Sequence, residues 1–241
     1  MIRLLACMLP LLCQAAELVV YAPETVSSLR LHRTLAADPA LEGVQVFVTS
    51  RWRIFEDQLA SHPSAWALAN APVLLDRGWH PVLQGQRLGS ISFRYQILAL
   101  DQASSARPMP AATMGLLQEC GRDRVDGMIA ELFPANQLPG RHRMVGKSTD
   151  LLQVLGLELV GCILVTPTQA SQAMANFPGR AQILAESRPV RLPVVAVRVP
   201  GEAPAAARLA GIGKATLTEL GIDTLVPFVG DPTPWCGPKI P

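Results

Sequence analysis

Short apolar runs alternate with longer segments at helical spacing through most of this chain, and this alternation restricts the fold more than any other feature. Residues 44–48 alternate as a half-buried strand does. Residues 51–61 follow with Trp52, Phe55 and Leu59 on one stripe of a helix. Such β-α alternation predicts an α/β fold, with mixed, mostly parallel sheets and helices on their faces.

The alternation repeats after a Ser/Pro-rich passage at residues 102–110. There the spacing predicts a helix over residues 123–133 and a last helix over residues 204–220. Because long apolar runs at 91–100 and 194–197 bracket this second series, we expect them to carry the chain between two lobes. The predicted division is residues 17–100 plus 198–241 for the first lobe and residues 103–193 for the second.

The N-terminal residues 1–16 have the pattern of a secretory signal peptide. Arg3 supplies the positive charge, residues 4–12 form an apolar run, and Ala15 and Ala16 are small residues at its end. The run is far shorter than the roughly 20 residues that span a bilayer. We therefore predict export to the periplasm or beyond, with cleavage near Ala16. A retained anchor, a lipoprotein signal and a buried N-terminal strand are the alternatives.

Charge and cysteine usage exclude several classes of protein. The formal net charge of +2 is spread along the chain without a basic block, so we expect neither nucleic acid nor an anionic membrane surface as a partner. Cys120, Cys162 and Cys236 follow the leader, and an odd number permits at most one internal disulfide. Cys162 lies in an apolar run and is predicted to be a small core residue.

Polar and charged residues follow the predicted strands, where open α/β sheets bind their ligands beside helix N-termini. Arg51 and Arg122 are suited to hold a carboxylate or a phosphate, although each also fits a solvated helix start. Thr25, Ser50 and Thr166 fit plain N-caps equally well. The full set of candidates is Glu24, Thr25, Ser50, Arg51 and Asn70 in the first lobe, and Gln118, Cys120, Gly121, Arg122 and Thr166 in the second.

Other patterns give no support to catalysis. The segment Trp235-Cys236-Gly237-Pro238 lacks the second cysteine of a dithiol motif. The histidines show no metal-ligand spacing, and no Gly-x-Ser-x-Gly or Cys/His arrangement supplies a nucleophile. We therefore expect a protein that is not an enzyme, with no catalytic residue, no metal and no cofactor.

Several stretches together resemble a known family. They are ELVVYAP after the leader, ALANAPVLLDRGWHPVLQGQRLGSISFRYQILAL, and RLPVVAVRVPG at the end of the second lobe. In this order they are similar to the periplasmic solute-binding proteins of the phosphate, phosphite and phosphonate transport group. The resemblance implies the two-lobe, type 2 periplasmic-binding fold. The Ser/Thr-rich phosphate loop of that family is replaced here by the sequence Gln-Glu-Cys-Gly-Arg at residues 118–122.

The resemblance implies a solute-binding protein that closes by a hinge around a small polar or anionic ligand. An inner-membrane ABC transporter permease would then be its partner. The alternatives are a ligand-sensing or partner-binding module with the same fold and no transport role, which would act on a sensor protein, and an enzyme on the same fold.

Overall fold

The computed structural model describes residues 16–25, 27–75, 77–101, 113–118, 125–134 and 138–230. Residues 1–15 of the leader and the Trp-Cys-Gly-Pro segment lie outside these ranges, as do the predicted site residues Cys120, Gly121 and Arg122. The strands are β1 (Ala16–Tyr21), β2 (Val44–Thr49), β3 (Trp66–Ala69), β4 (His80–Gln86), β5 (Ser92–Leu100), β6 (Thr113–Leu117), β7 (Arg141–Val145), β8 (Cys162–Val165), β9 (Ala181–Arg191), β10 (Val194–Val197) and β11 (Thr224–Pro227). The α-helices are α1 (Ser28–Ala36), α2 (Trp52–Ser61), α3 (Ala71–Leu75), α4 (Val125–Leu132), α5 (Ser148–Gly156), α6 (Pro167–Asn176), α7 (Ala203–Ala206) and α8 (Lys214–Thr218).

The first sheet has six strands in the order β11-β4-β10-β3-β1-β2. Strand β1 runs parallel to β2 and β3, with Leu18 opposite Val46 on one side and Trp66 on the other. Strand β10 is antiparallel to both β3 and β4. Because β1, β2 and β3 run parallel, the residues that follow them lie at one edge of this sheet.

The second sheet has five strands in the order β7-β6-β8-β5-β9. Strand β6 runs parallel to β7 and β8, whereas β5 is antiparallel to β8 and β9. Residues 91–100 are predicted from the sequence to lie in the first lobe, but β5 belongs to this second sheet. The reason is that β5 pairs along its whole length with β9, a strand that the apolar pattern did not predict. Each sheet with its helices is here called the first or second lobe.

Helices cover both faces of each sheet. Phe55 of α2 is fully buried against one face of the first sheet, and Leu31 of α1 is fully buried against the other. In the second lobe α4 covers one face with Val125, Met128, Ile129 and Leu132, while α5 and α6 cover the opposite face. The predicted apolar stripes of α2 and α4 are therefore confirmed as buried.

The predicted last helix over residues 204–220 is wrong in its continuity. The chain there forms short pieces, namely a 3₁₀ turn (Pro200–Glu202), α7, a second 3₁₀ turn (Ala207–Gly211) and α8. The break comes at Gly213, whose amide donates to the carboxylate of Asp38 at 2.8 Å instead of continuing a helix. A glycine pair lowers helix propensity, and this tertiary hydrogen bond fixes the place of the break.

Two adjacent crossings connect the lobes. The chain leaves the first sheet after β4 and returns to it at β10. The amide of Gly85 donates to the carbonyl of Pro193 at 2.7 Å, and the amide of Leu192 donates to the carbonyl of Ile91 at 3.0 Å. The two crossings are therefore hydrogen-bonded to each other. Within the described residues, no helix is long and apolar enough to cross a membrane.

Candidate functional site

The predicted site residues that the structure describes lie at the carboxyl ends of parallel strands. Glu24 and Thr25 follow β1, Ser50 and Arg51 follow β2, and Asn70 follows β3. In the second lobe, Gln118 follows β6 and Thr166 follows β8. This is the edge at which open α/β sheets bind ligands.

A narrow crevice brings Glu24 of the first lobe against the second lobe. The polar residues lining it are Glu24, Thr166, Gln169 and the hydroxyl-bearing Tyr95. Its apolar lining consists of Leu116, Leu117, Met128 and Leu164. The cavity volume is about 20 Å³, which is room for about one or two water molecules. The lobes are therefore in close contact here.

Glu24 is the ionisable group of this crevice. Burial raises the pKa of its carboxyl, while a hydrogen bond from the Thr166 side chain and the positive charge of Arg87 act in the opposite direction. Neither Thr166 nor Arg87 is near Glu24 in the sequence. Thr166 follows β8 and therefore belongs to the other lobe. The Glu24 carboxylate is thus desolvated and has only partial compensation, which is costly for a charged group.

Thr166 and Gln169 form a capping box at the start of α6. The backbone N–H of Gln169 donates to Thr166 Oγ1 at 3.4 Å, and the backbone N–H of Thr166 donates to Gln169 Oε1 at 2.9 Å. Of the two alternatives for Thr166, the N-cap is observed, and its role in ligand binding stays a prediction. Gln169 is only 4% exposed, and its Nε2 has no hydrogen-bond partner among the residues that the structure describes.

Arg87 forms a second contact between the lobes. Its Nη1 donates to Thr168 Oγ1 at 3.3 Å, from the turn after β4 to the first turn of α6. Sequence reasoning missed Arg87, Tyr95 and Gln169. For Gln169 the Thr-x-x-Gln spacing of a capping box was an available signal. No local pattern points to Arg87 or Tyr95, because their roles depend on the docking of the two lobes.

The other predicted residues do not line the crevice. Thr25 lies in a turn after β1, and Ser27 rather than Thr25 caps α1. Arg51 is exposed at the start of α2, where its amide donates to Thr49 Oγ1 at 3.1 Å. Ser50, Asn70 and Gln118 are partly buried at their strand ends. Their role in ligand binding stays a prediction, as does that of Cys120, Gly121 and Arg122.

A larger cavity of about 520 Å³ lies at the opposite end of β1. Glu17, His62 and Glu202 are among its lining residues, and a His62 ring nitrogen is 3.8 Å from the Glu17 carboxylate. All of its lining residues belong to the first lobe. A ligand bound there would touch one lobe alone, so the smaller crevice is the better candidate for a site that responds to lobe closure.

The sequence matches no protein-family model and has no significant match among the curated proteins. Many solved structures share its fold. The Xanthomonas citri protein XAC2383 bound to ATP has a TM-score of 0.64 and 15% identity, over 91% of this chain and 92% of its own. A binding protein component of an ABC phosphonate transporter from Pseudomonas aeruginosa has a TM-score of 0.65 and 10% identity, over 88% and 81%.

A third similar structure is the periplasmic VFT2 domain of BvgS from Bordetella pertussis, with a TM-score of 0.52 and 12% identity, over 86% of this chain and 92% of that one. The fold is the type 2 periplasmic-binding fold. In this fold, also called the Venus-flytrap fold, the chain forms two lobes. The Glu24 crevice lies between them. The resemblance noted from the sequence is confirmed at the level of the fold, since identities this low establish no more than that.

Proposed function

We propose that the protein is an exported solute-binding protein that captures a small polar or anionic ligand between its lobes for an ABC transporter. The observation that carries the proposal is the crevice, which takes Glu24 from one lobe and Thr166 and Gln169 from the other. A ligand that touches all three must contact both lobes. The similarity to a binding protein component of a phosphonate transporter supports the transport role.

The proposed mechanism is closure about the paired crossings beside Gly85. A ligand shifts an open-closed equilibrium only by as much as it binds the closed state more tightly. Contacts from both lobes exist only after closure, so the free energy of those contacts drives it. Because the crevice has a volume of only about 20 Å³, the lobes must separate before a ligand enters.

Delivery to a transporter requires export, which we assign to the leader at residues 1–16. Cleavage before Ala16 would leave β1 intact, and cleavage after Ala16 would remove only the first residue of that strand. Mass spectrometry of the protein purified from the periplasm should show a chain that lacks about fifteen residues, as is usual for a secretory signal. An intact Met1 on cytosolic protein would contradict the export part of the proposal.

A thermal-shift screen tests ligand binding directly. The screen should contain phosphate, phosphonates, amino acids and carboxylates, and a true ligand should raise the melting temperature in proportion to its concentration over its dissociation constant. Small-angle X-ray scattering with the best hit should show a smaller radius of gyration. A hit that stabilises the protein without compacting it would argue against closure around the ligand.

Arg51 supplies a specific test of the anionic ligand class. If it reaches the ligand on closure, Arg51→Ala should weaken an anionic ligand by roughly tenfold or more, since a charge-assisted hydrogen bond is worth about 1.5–3 kcal/mol. Arg53→Ala is the matched control, because Arg53 is an exposed arginine in the same first turn of α2. Equal affinity in both variants would show that Arg51 is an exposed residue at the start of α2 that does not contact the ligand.

A second candidate function is ligand sensing without transport. The similarity to the BvgS periplasmic domain favours it, because BvgS domains of this fold belong to a sensor protein. Genes for a permease and an ATPase beside the coding gene would support transport. A neighbouring histidine kinase or diguanylate cyclase gene would support sensing, and ligand uptake that is unaffected by deletion of the gene would exclude transport.

A further inference from the structure

The polar groups of the crevice are arranged as one acceptor and one donor. The acceptor is the Glu24 carboxylate, which burial deprives of water and which Thr166 and Arg87 compensate only in part. The donor is Gln169 Nε2, which has no hydrogen-bond partner in the part of the chain that the structure describes. A buried donor without a partner costs free energy, so a ligand that supplies an acceptor is favoured there.

The start of α6 is poorly suited to bind an oxyanion. Helix N-termini bind anions through the free N–H groups of their first turn. Here Pro167 has no N–H, and the N–H of Gln169 is directed to Thr166 Oγ1. The Glu24 carboxylate also lies beside this terminus and repels a second negative charge. The polar groups next to Glu24 therefore favour a positively charged group over an anion.

The remaining lining determines the shape of the ligand. Leu116, Met128 and Leu164 form an apolar wall, and the ring of Tyr95 is 6% exposed beside them. An aliphatic linker can pack against this wall, and an aromatic face also attracts a cation.

Resting on the proposed function, we infer that the ligand is a small molecule with an ammonium group for Glu24 and a hydrogen-bond acceptor for Gln169 Nε2, joined by a short aliphatic chain. A simple oxyanion satisfies only Gln169, and a simple amine satisfies only Glu24. The two-ended ligand satisfies both, and it contacts both lobes because Glu24 and Gln169 lie on different lobes.

The test compares two-ended probes with their one-ended partners by calorimetric titration. β-Alanine carries both groups, propionate only the acceptor and propylamine only the ammonium. Aminomethylphosphonate and methylphosphonate form a second pair. We expect at least one two-ended probe to bind about tenfold or more tightly than each of its one-ended partners, from the usual strength of charge-assisted hydrogen bonds.

Two variants separate the contributions of the two ends. Glu24→Gln keeps the shape of the side chain and removes its charge, so it should abolish the advantage of β-alanine over propionate. Gln169→Met should abolish the advantage of β-alanine over propylamine. A purely structural effect of losing the capping box would weaken all probes alike. Glu42→Gln, on the exposed surface of the first lobe, is the control for loss of one negative charge.

The outcomes distinguish this inference from the proposed function. If propionate or methylphosphonate binds as tightly as its aminated partner, and Glu24→Gln has no effect, the inference is overturned and a solute-binding function stands. If only molecules outside this panel bind and compact the protein, the inferred ligand class is again wrong. If no small polar molecule binds in the wider thermal-shift screen, the proposed function is overturned as well.

Discussion

The guanidinium of Arg87 lies within hydrogen-bond distance of Thr168, with 3.3 Å between Nη1 and Oγ1, and this contact joins the two lobes at the rim of the crevice. The positive charge of Arg87 also opposes the effect of burial on the pKa of Glu24. One exposed arginine thus contacts the other lobe and partly offsets the cost of burying a carboxylate.

Loss of this contact should favour the open state. Arg87→Ala removes a hydrogen bond that is worth about 1 kcal/mol, so the open-closed equilibrium should shift by up to about fivefold. The measurement is the radius of gyration of the ligand-free protein in solution. Arg30→Ala is the control, because Arg30 pairs with Glu219 at 3.2 Å within the first lobe. Identical scattering from wild type and Arg87→Ala would show that the Arg87–Thr168 hydrogen bond does not stabilise the closed state.

The raised pKa of Glu24 predicts a pH-dependent stability. Burial is the main cause, and it moves the pKa of the folded state above the ordinary value of 4.5. The folded protein then binds this proton more tightly than the unfolded chain, so the contribution of Glu24 to stability falls as pH rises above that value. Glu24→Gln cannot ionise and should be more stable than wild type at neutral pH.

Melting temperatures measured from about pH 4 to pH 7 check this expectation. The advantage of Glu24→Gln should grow over the interval and vanish at its acidic end, where Glu24 is protonated in both states. Glu42→Gln should follow the wild type throughout. An advantage of Glu24→Gln that does not change with pH would show that packing, rather than ionisation, causes it.

Asp38 ties the N-terminal part of the first lobe to its C-terminal part. Its carboxylate accepts hydrogen bonds from the amide of Ala40 at 3.1 Å, the amide of Gly213 at 2.8 Å and the hydroxyl of Thr216 at 3.1 Å. Asp38 is buried, so Asp38→Ala leaves these donors unsatisfied and should destabilise the protein by about 2–4 kcal/mol.

Urea unfolding at neutral pH measures this change. Asp57→Ala, an exposed aspartate on α2, should change the free energy of unfolding by no more than about 0.5 kcal/mol. If Asp38→Ala were as stable as Asp57→Ala, the Asp38 cluster would make no net contribution to the folded state.

Two glycines should respond to alanine in opposite directions. A Cβ at Gly85 would lie 2.7 Å from Ile222 Cγ2 and 3.1 Å from the Pro193 carbonyl oxygen, so Gly85→Ala should cost about 1–3 kcal/mol. A Cβ at Gly127, in α4, would meet nothing within 4 Å. Gly127→Ala should therefore stabilise by about 0.5–1 kcal/mol through helix propensity.

Thermal unfolding of both variants tests this pair, with the wild type as reference. The Gly85 result bears on the hinge, because Gly85 donates to Pro193 where the two crossings meet. A neutral Gly85→Ala would mean that Ile222 and the Pro193 carbonyl can move to admit a Cβ without cost to the folded state.

The Cys162 thiol should be unreactive in the folded protein. It is fully buried, and burial raises the pKa of this thiol to about 12. The thiolate is the reactive form of cysteine, so almost none is available at neutral pH. Titration with a thiol reagent should count the same number of fast-reacting thiols in wild type and in Cys162→Ala. After denaturation the wild type should show one more.

Local pattern was enough to predict the elements whose burial follows from their own sequence. The stripe Trp52, Phe55 and Leu59 fixed the inner face of α2, and the apolar runs at β8 and β10 fixed two central strands. In each of these elements, the apolar residues either recur at helical spacing or form a continuous stretch, and this pattern permits only one way of burying the apolar surface. The same patterns, together with the resemblance they carry, were sufficient for an α/β fold of two lobes.

Strand pairing and hydrogen bonds between distant segments could not be predicted from the sequence. Strand β9 mixes exposed and buried positions over Ala181–Arg191 because it is an edge strand, so its pattern does not mark it as sheet. Without β9, nothing indicated that β5 belongs to the second sheet. In the same way, Asp38 breaks the predicted last helix from 175 residues away.

The sequence by itself determined the class of fold, the polar strand ends and the presence of Glu24 and Thr166 among them. Only the tertiary structure decided that these two residues meet, and that Arg87, Tyr95 and Gln169 join them. The physical reason is that amphipathic periods are local properties of the chain. The desolvation of Glu24, by contrast, arises only when one lobe is placed against the other.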